Sequence, residues 1–433
     1  MKTKIWNKDT LKNPQWLEEF TIGSDKSFDL FLAPHDVKAS MAHATMLAAC
    51  GLISNTENIA LQNELEVILK DISEGKFKIE ETVEDVHSQI ELILTEKLGD
   101  TGKKIHTARS RNDQVLTALK LFVKEELETV SGNVATLFNA LQLLSEKHKN
   151  VLLPGYTHLQ IAMPSSFGLW FGSYAESLSD DMELLLAAHN IANKNPLGSG
   201  AGYGSSLPIN RTMTTEQLKF SSLNFNVVYA QMTRGKTEKA ASFALATIAA
   251  TLSKLSMDIC LFASQNFNFI SFPNHLTTGS SIMPHKKNPD VFELVRGKCN
   301  KLQALPNELT LLLTNLPSGY HRDLQLTKET LFPAFSILNN CINTTIEMLK
   351  EIQVNEQILE DGKYQYLFSV EKVNDMVKEG VPFREAYKLV GAEIEVGIFN
   401  YNGRLNHTHE GSMGNLMTEQ INLEFGKKLK SLC

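Results

Sequence analysis

Cysteine is scarce and scattered in this chain. Cys50, Cys260, Cys299, Cys341 and Cys433 are odd in number and never stand in a C-x-x-C spacing. That pattern offers neither a disulfide framework nor a cysteine zinc site, and it fits reduced thiols. Positive charge is also in deficit. A formal net charge of −7 argues against non-specific nucleic-acid binding, which needs a basic face. No segment approaches the roughly 20 uninterrupted apolar residues of a membrane span, and Met1–Thr10 is polar, without the apolar stretch of a signal peptide. Nucleotide loops are missing as well. Residues 198–206 are rich in glycine, yet they fit neither G-x-G-x-x-G nor G-x-x-x-x-G-K-[ST], and no strand-like run precedes them. The expectation is a soluble cytoplasmic protein with no cofactor, no metal, no nucleic acid and no membrane partner.

What the chain does have is long stretches without helix breakers. Its 433 residues are too many for one compact core, and 42% hydrophobic content is ordinary for a globular protein. From Arg109 to Leu153 there is no proline and only Gly132; from Lys236 to Phe272 there is neither proline nor glycine. Val130, Val134, Leu137, Leu141 and Leu144 alternate spacings of four and three. Ala241, Leu245, Ile248, Leu252, Leu255, Ile259 and Phe262 do the same. Such seams lie along one helix face at the period of bundle packing, on rods of about 40–60 Å.

Three further seams read alike: Phe171 to Leu185, Leu302 to Leu316 with a kink at Pro306, and Leu331 to Ile346. The spacing therefore predicts an all-α protein with a central bundle of five long helices. Residues 1–108 and 353–433 carry shorter patterns, among them Leu61–Ile72, Val370–Lys378 and Phe383–Val396. Three helical domains follow, at 1–108, 109–352 and 353–433.

Chemistry is expected where the rods end, in polar loops carried by rigid elements. His106-Thr107-Ala108-Arg109-Ser110-Arg111-Asn112-Asp113 brings two arginines and several small donors that suit a carboxylate, or a helix N-cap built by Ser110 or Asn112. Pro154-Gly155-Tyr156-Thr157-His158 ends in a histidine fit for acid–base work or for a purely structural hydrogen bond. Thr278-Gly279-Ser280-Ser281 runs on to Pro284-His285-Lys286-Lys287-Asn288-Pro289-Asp290. There a tight turn can aim backbone amides at an anion, with Lys286 and Asn288 beside it.

That last loop resembles the G-S-S-x-M-P-x-K-x-N-P signature of the fumarase/aspartase superfamily. Its lysine pair followed by N-P-D is similar to the argininosuccinate lyase family and its δ-crystallin relatives. The segments at residues 106–113 and 154–160 resemble that family's first two motifs. Leu316-Pro317 with Tyr320, Asp323, Gln325 and Lys328 resembles its fourth, and Glu84-Asp85-Val86-His87-Ser88 its E-D-V-H-S. The matches run in order along nearly the whole chain.

The resemblance implies a homotetramer whose central domains form a twenty-helix core, with each active site drawn from three subunits. It implies reversible release of fumarate from argininosuccinate to give arginine, without a cofactor. Ser280 would be the base that removes a proton beside a succinyl carboxylate. Lys286 would steady the resulting dianion, and His158 with Glu293 would form a histidine–carboxylate pair. Ser110, Arg111, Asn112, Thr157 and Asn288 match substrate-binding positions; Tyr320, Gln325 and Lys328 match those holding the arginine end. A sibling lyase on another succinyl substrate and a non-catalytic crystallin-like structural protein are the alternatives. The chain departs from the family pattern at Lys4-Ile5-Trp6-Asn7-Lys8, at His285 and at Thr233-Arg234-Gly235. Thr21 and Ser24 are the candidates for an N-terminal substrate contact.

Overall fold

A computed structural model describes residues 15–432; the opening departure at Lys4–Lys8 lies outside the described residues. Among the described residues the fold is helical, with thirteen α-helices of eight residues or more. In order these are α1 (Gln15–Ile22), α2 (Asp25–Ala49), α3 (Asn55–Ser73), α4 (Val86–Leu98), α5 (Arg111–Lys147), α6 (Phe167–Ala192) and α7 (Lys236–Phe262). They continue as α8 (Asp290–Leu302), α9 (Leu305–Leu312), α10 (Thr327–Lys350), α11 (Ser369–Lys378), α12 (Phe383–Glu395) and α13 (Thr418–Lys430). The 37 residues of α5 make a rod of about 55 Å.

The seams on α5, α6, α7 and α10 are buried as expected: Val130, Val134, Leu137, Leu178, Met182, Leu245, Ile248, Leu252, Leu338 and Ile342 are all at most 1% exposed. By length and composition alone α7 would also span a membrane. Here its apolar face has protein to pack on.

The Leu302–Leu316 seam is a correction. It is not one kinked rod: α8 stops at Leu302 and α9 starts afresh at Leu305, with Pro306 in its first turn. A residue without an N–H fits that position, since first-turn amides have no partner inside the helix. The fifth rod of the sequence pattern is therefore two shorter helices, and the chain has another long helix instead. The buried positions of the 25-residue α2 mix Leu32, Val37, Met46 and Leu47 with small and polar residues, Asp29, Ala33, Asp36, Ala39, Ser40, Ala42, His43 and Ala44, so its apolar repeat is interrupted.

Contacts gather into two compact units. The first comprises the described part of Met1–Val130 with Leu184–Ala246 and Leu302–Ile337; the second comprises Ser131–Glu183, Thr247–Lys301 and Leu338–Cys433. In the first, Phe122 lies against Phe31, Phe332 and Phe335, with ring centroids 4.3 Å apart for the Phe122–Phe332 pair. In the second, Trp170, Phe262, Phe267 and Phe269 form an aromatic cluster, and Asp258 accepts from the Trp170 indole at 3.1 Å and the Tyr174 hydroxyl at 2.5 Å. Phe138 stacks on Phe425 at 3.9 Å. A hairpin of β1 (Leu152–Thr157) and β2 (Gln160–Ser166) also belongs to this unit.

Candidate active site

In the first unit the site grows from the start of α5. Ser110 Oγ accepts the Asn112 N–H at 3.3 Å, and the Asp113 carboxylate accepts the Ser110 N–H at 2.9 Å. The N-cap alternative for Ser110 is thus realised, and capping fixes the direction in which Arg111 and Asn112 leave the helix. The two arginines of the motif part company. Arg109 is buried and donates to Ser40 Oγ at 2.9 Å. Arg111 donates to Ser88 Oγ at 3.0 Å, lies 3.5 Å from Asp85, and faces a cavity.

Asp113 also explains the glycine-rich segment. Its second oxygen accepts the N–H groups of Gly198 at 2.9 Å and Gly200 at 2.8 Å, and both glycines hold positive φ, which costs them little. The loop therefore does cradle an anion, and the anion is a side chain of the protein. Burial lifts the Asp113 carboxyl to about 6 in spite of three amide donors.

The cavity, of about 190 Å³, is lined by Arg111, Asn112, Tyr320, Gln325 and Lys328 among the sequence-derived residues. Residues 111–112 and 320–328 thus meet in space although they are far apart in sequence. The Lys328 ammonium is buried between two carboxylates, Asp29 at 2.5 Å and Asp25 at 2.7 Å. Burial, helped by Asp29, raises Asp25 to about 6, with Lys328 pulling the other way. Gln325 donates to the carbonyls of Thr21 at 3.1 Å and Ile22 at 3.3 Å. Thr21 and Ser24 turn elsewhere: Thr21 Oγ1 donates to Leu17 O, and Ser24 Oγ to Glu329.

Several lining residues escaped sequence reasoning. Asp25 and Asp29 stand four apart, hence on one helix face, a signal that was there to be used. His87 is buried, 3.0 Å from Asp36 through Nδ1. Burial works to raise Asp36, yet His87 and Arg109 hold its carboxyl below the ordinary range. Arg234 also lines the cavity; it is buried and braced by Glu238 at 3.1 Å and the Leu324 carbonyl at 3.1 Å. With Glu84, Asp85 and Arg322 the wall alternates acidic and basic groups, a lining that suits a zwitterion.

The remaining candidates belong to the second unit. Thr157 ends β1, and the turn to β2 consists of His158 and Leu159, with φ of 54° and 58°. Two left-handed residues make the tight hairpin whose twist matches its strands, but neither is glycine or asparagine. His158 is exposed at this tip.

Residues 278–290 form an exposed arch closed at its base, where the Asn288 N–H donates to Thr278 O at 2.8 Å. Asn288 Nδ2 adds a bond to Thr278 Oγ1 at 3.3 Å. At the top, Ser280 Oγ accepts the N–H groups of Met283 at 3.1 Å and Ile282 at 3.3 Å. Lys286 is exposed on the arch, and Glu293 is exposed on the first turn of α8. Among the described residues no hydrogen bond or ion pair joins His158 to Glu293, and no group of His, Cys, Asp and Glu is disposed to hold a metal.

Comparison with known proteins agrees along the chain's length. The family model described as lyase matches residues 9–304. An argininosuccinate lyase of Bacteroides thetaiotaomicron is 59% identical over 421 residues, covering 97% of this chain and 94% of that protein. One from Thermotoga neapolitana is 38% identical over 390 residues, covering 90% and 98%. Among solved structures, an EDDS lyase in complex with formate superposes with a TM-score of 0.76 at 19% identity, covering 98% of this chain and 90% of that one. A fumarate lyase (delta crystallin) from Brucella melitensis gives 0.73 at 19% identity, covering 93% and 90%. At such identity the structural likeness speaks for the all-helical fold alone.

Proposed function

The chain belongs to the argininosuccinate lyase family, and from that membership we propose that it eliminates fumarate reversibly from argininosuccinate, releasing arginine, with Ser280 as the base. The observation that carries the role of Ser280 is the pair of amides on its oxygen. A serine hydroxyl is a weak base, and donors aimed at its oxygen favour the ionised form.

Ser280 takes a proton from the carbon next to a succinyl carboxylate. The electron pair left behind is delocalised into that carboxylate as a dianion, which Lys286 and Asn288 stabilise. The carbon–nitrogen bond then breaks, the guanidine nitrogen leaves with the bonding pair and takes up a proton, and fumarate remains. The alternating charges around Lys328, Asp25, Asp29 and Arg111 suit the amino and carboxylate groups of the arginine end, with Tyr320 and Gln325 beside them. Ser110, Asn112 and Thr157 complete the binding set.

His158 and Glu293 are unpaired with each other inside one chain. We assign their pairing to contacts between chains in a homotetramer whose sites are shared. The direct test supplies argininosuccinate as the sole substrate and follows the fumarate absorbance band. Growth of that band, with arginine in equal amount, is expected; a flat trace at high enzyme concentration would overturn the reading.

A further inference from the structure

Thr233-Arg234-Gly235, one of the segments where the chain departs from its family's pattern, folds around a single carboxylate. Gly235 holds a φ of 81°, and a Cβ there would lie 2.5 Å from Leu313 Cδ2, so only glycine fits the turn. The turn aims the Gly235 N–H at Glu238 Oε2, 2.7 Å away. A glutamate reaching back from the first turn of a helix to the amide just before it is a common way to close a helix start. That accounts for one oxygen of Glu238.

The other oxygen has different partners. Glu238 Oε1 accepts the Arg234 Nε–H at 3.1 Å. The Thr327 hydroxyl shares its one hydrogen between Glu238 Oε1 at 3.2 Å and the Leu324 carbonyl at 2.8 Å. Arg234 Nη2 donates to the same carbonyl at 3.1 Å. Glu238 and Thr327 are fully buried, and Arg234 is buried too. A carboxylate taken out of water needs a cation and donors to offset its lost hydration, and Arg234, Thr327 and Gly235 supply them. The bonds close a ring that ties the start of α7 to residues 324–327. Gln325 lies inside that turn and Lys328 directly follows it; both line the first cavity, as Arg234 does. Glu238 and Thr327 stand behind the cavity wall.

We propose that Glu238 is a positioning residue for the arginine end of the substrate: through Arg234 and Thr327 it fixes the turn from which Gln325 and Lys328 reach the cavity. The inference rests on the argininosuccinate reading above. A helix cap needs only Oε2; two partners on Oε1 that both lead to Leu324 are what a cap leaves unexplained. A shift of the turn by about 1 Å would spoil the contacts Gln325 and Lys328 make to a ligand. The succinyl end, held by Lys286 and Asn288, draws on another segment and should not feel it.

Glu238→Gln tests this, because it keeps the shape but offers one oxygen and one NH2 group in place of two acceptors, and Arg234 loses its charged partner. Arginine binding, measured by calorimetry on the full-length protein, should weaken tenfold or more, while inhibition of turnover by fumarate shifts less than twofold. KM for argininosuccinate should rise about tenfold with kcat within about threefold. Arginine binding as tight as in the wild type, or equal losses for arginine and fumarate, would overturn the positioning role; equal losses are what a merely loosened fold would give. If circular dichroism shows Glu238→Gln misfolded, Thr327→Val decides, since it removes a single hydroxyl behind the cavity wall. A threefold or greater loss of arginine affinity is then expected, and unchanged affinity sinks the proposal. A wild type that releases no fumarate from argininosuccinate would instead overturn the underlying reading, and this inference with it.

Discussion

Ser280 receives two amide hydrogens and gives the loop little else, so its replacement should spare the arch. Ser280→Ala is expected to lower kcat by several orders of magnitude with KM close to unchanged, the pattern of a group acting in the transition state. Lys286→Ala should raise KM and lower kcat together, because a carboxylate contact serves both states. A normal kcat in Ser280→Ala with loss in Ser281→Ala would move the base by one residue. His43 offers a different residue-scale test. It is fully buried, its Nε2–H donates to the Thr107 carbonyl at 2.8 Å, and burial with Arg109 nearby lowers it to about 3. Above pH 6.5 the ring is neutral folded or unfolded. As pH falls below 6.5 the unfolded chain takes up a proton that the folded chain refuses until about 3, so stability is lost with acidification. The loss is about 1.4 kcal/mol per pH unit for one group. Urea unfolding of wild type and His43→Gln between pH 7 and 4.5 should therefore converge as pH drops. Parallel curves would contradict the burial argument.

Elements were legible in the sequence in proportion to how apolar their buried faces are. The seams of α5, α7 and α10 could be read from spacing because leucine, isoleucine and valine mark one side of each. Helix α2 is of similar length to α7 and α10, but alanine, serine, aspartate and histidine fill many of its buried positions between Leu32, Val37, Met46 and Leu47, and small or polar residues interrupt the periodic mark. The α8–α9 break hid for a related reason: the leucine spacing continues across Leu302 and Leu305 although the backbone does not. The β1–β2 hairpin was invisible because its turn is His158-Leu159 rather than an asparagine–glycine pair. That departure carries strain, since left-handed backbone costs a side chain about 1 kcal/mol. Leu159 is 76% exposed, so Leu159→Gly removes strain and little burial. Its denaturation midpoint should rise by an amount equivalent to about 1 kcal/mol, less the entropy glycine adds to the unfolded chain. A midpoint lowered by clearly more than the glycine entropy cost would contradict the strain argument.

At the scale of the whole molecule, the motifs divide between the two units: Ser110, Arg111, Asn112, Tyr320, Gln325 and Lys328 in one, Thr157, His158, Ser280, Lys286, Asn288 and Glu293 in the other. Motif order and residue type singled them out in the sequence; that residues 111–112 and 320–328 line one cavity is what the structure adds. The acidic partners of Lys328 were not, because ion pairing across some 300 residues leaves no local pattern. If sites are assembled between chains, Ser280→Ala and His158→Asn subunits should complement. Each inactive tetramer alone should stay inactive, while a dissociated and reassembled equal mixture recovers a fraction of wild-type activity. Sedimentation of the wild type as a monomer, or a mixture that reassembles without recovering activity, would count against shared sites.

The glycine-rich loop around Asp113 has a consequence of another kind. By tethering its own ligand, the chain gives the loop a carboxylate at an effective concentration that no free metabolite matches, and so keeps a ready receptor permanently occupied. Asp113→Ala would empty that socket and strand the amides of Ser110, Gly198 and Gly200, a loss of about 3 kcal/mol or more. The vacated space has the shape of a one-carbon acid. Millimolar formate should raise the variant's melting temperature and leave the wild type unmoved, whereas chloride at equal ionic strength should do neither. A structural brace would then have become a sensor for a small anion by the removal of a single side chain.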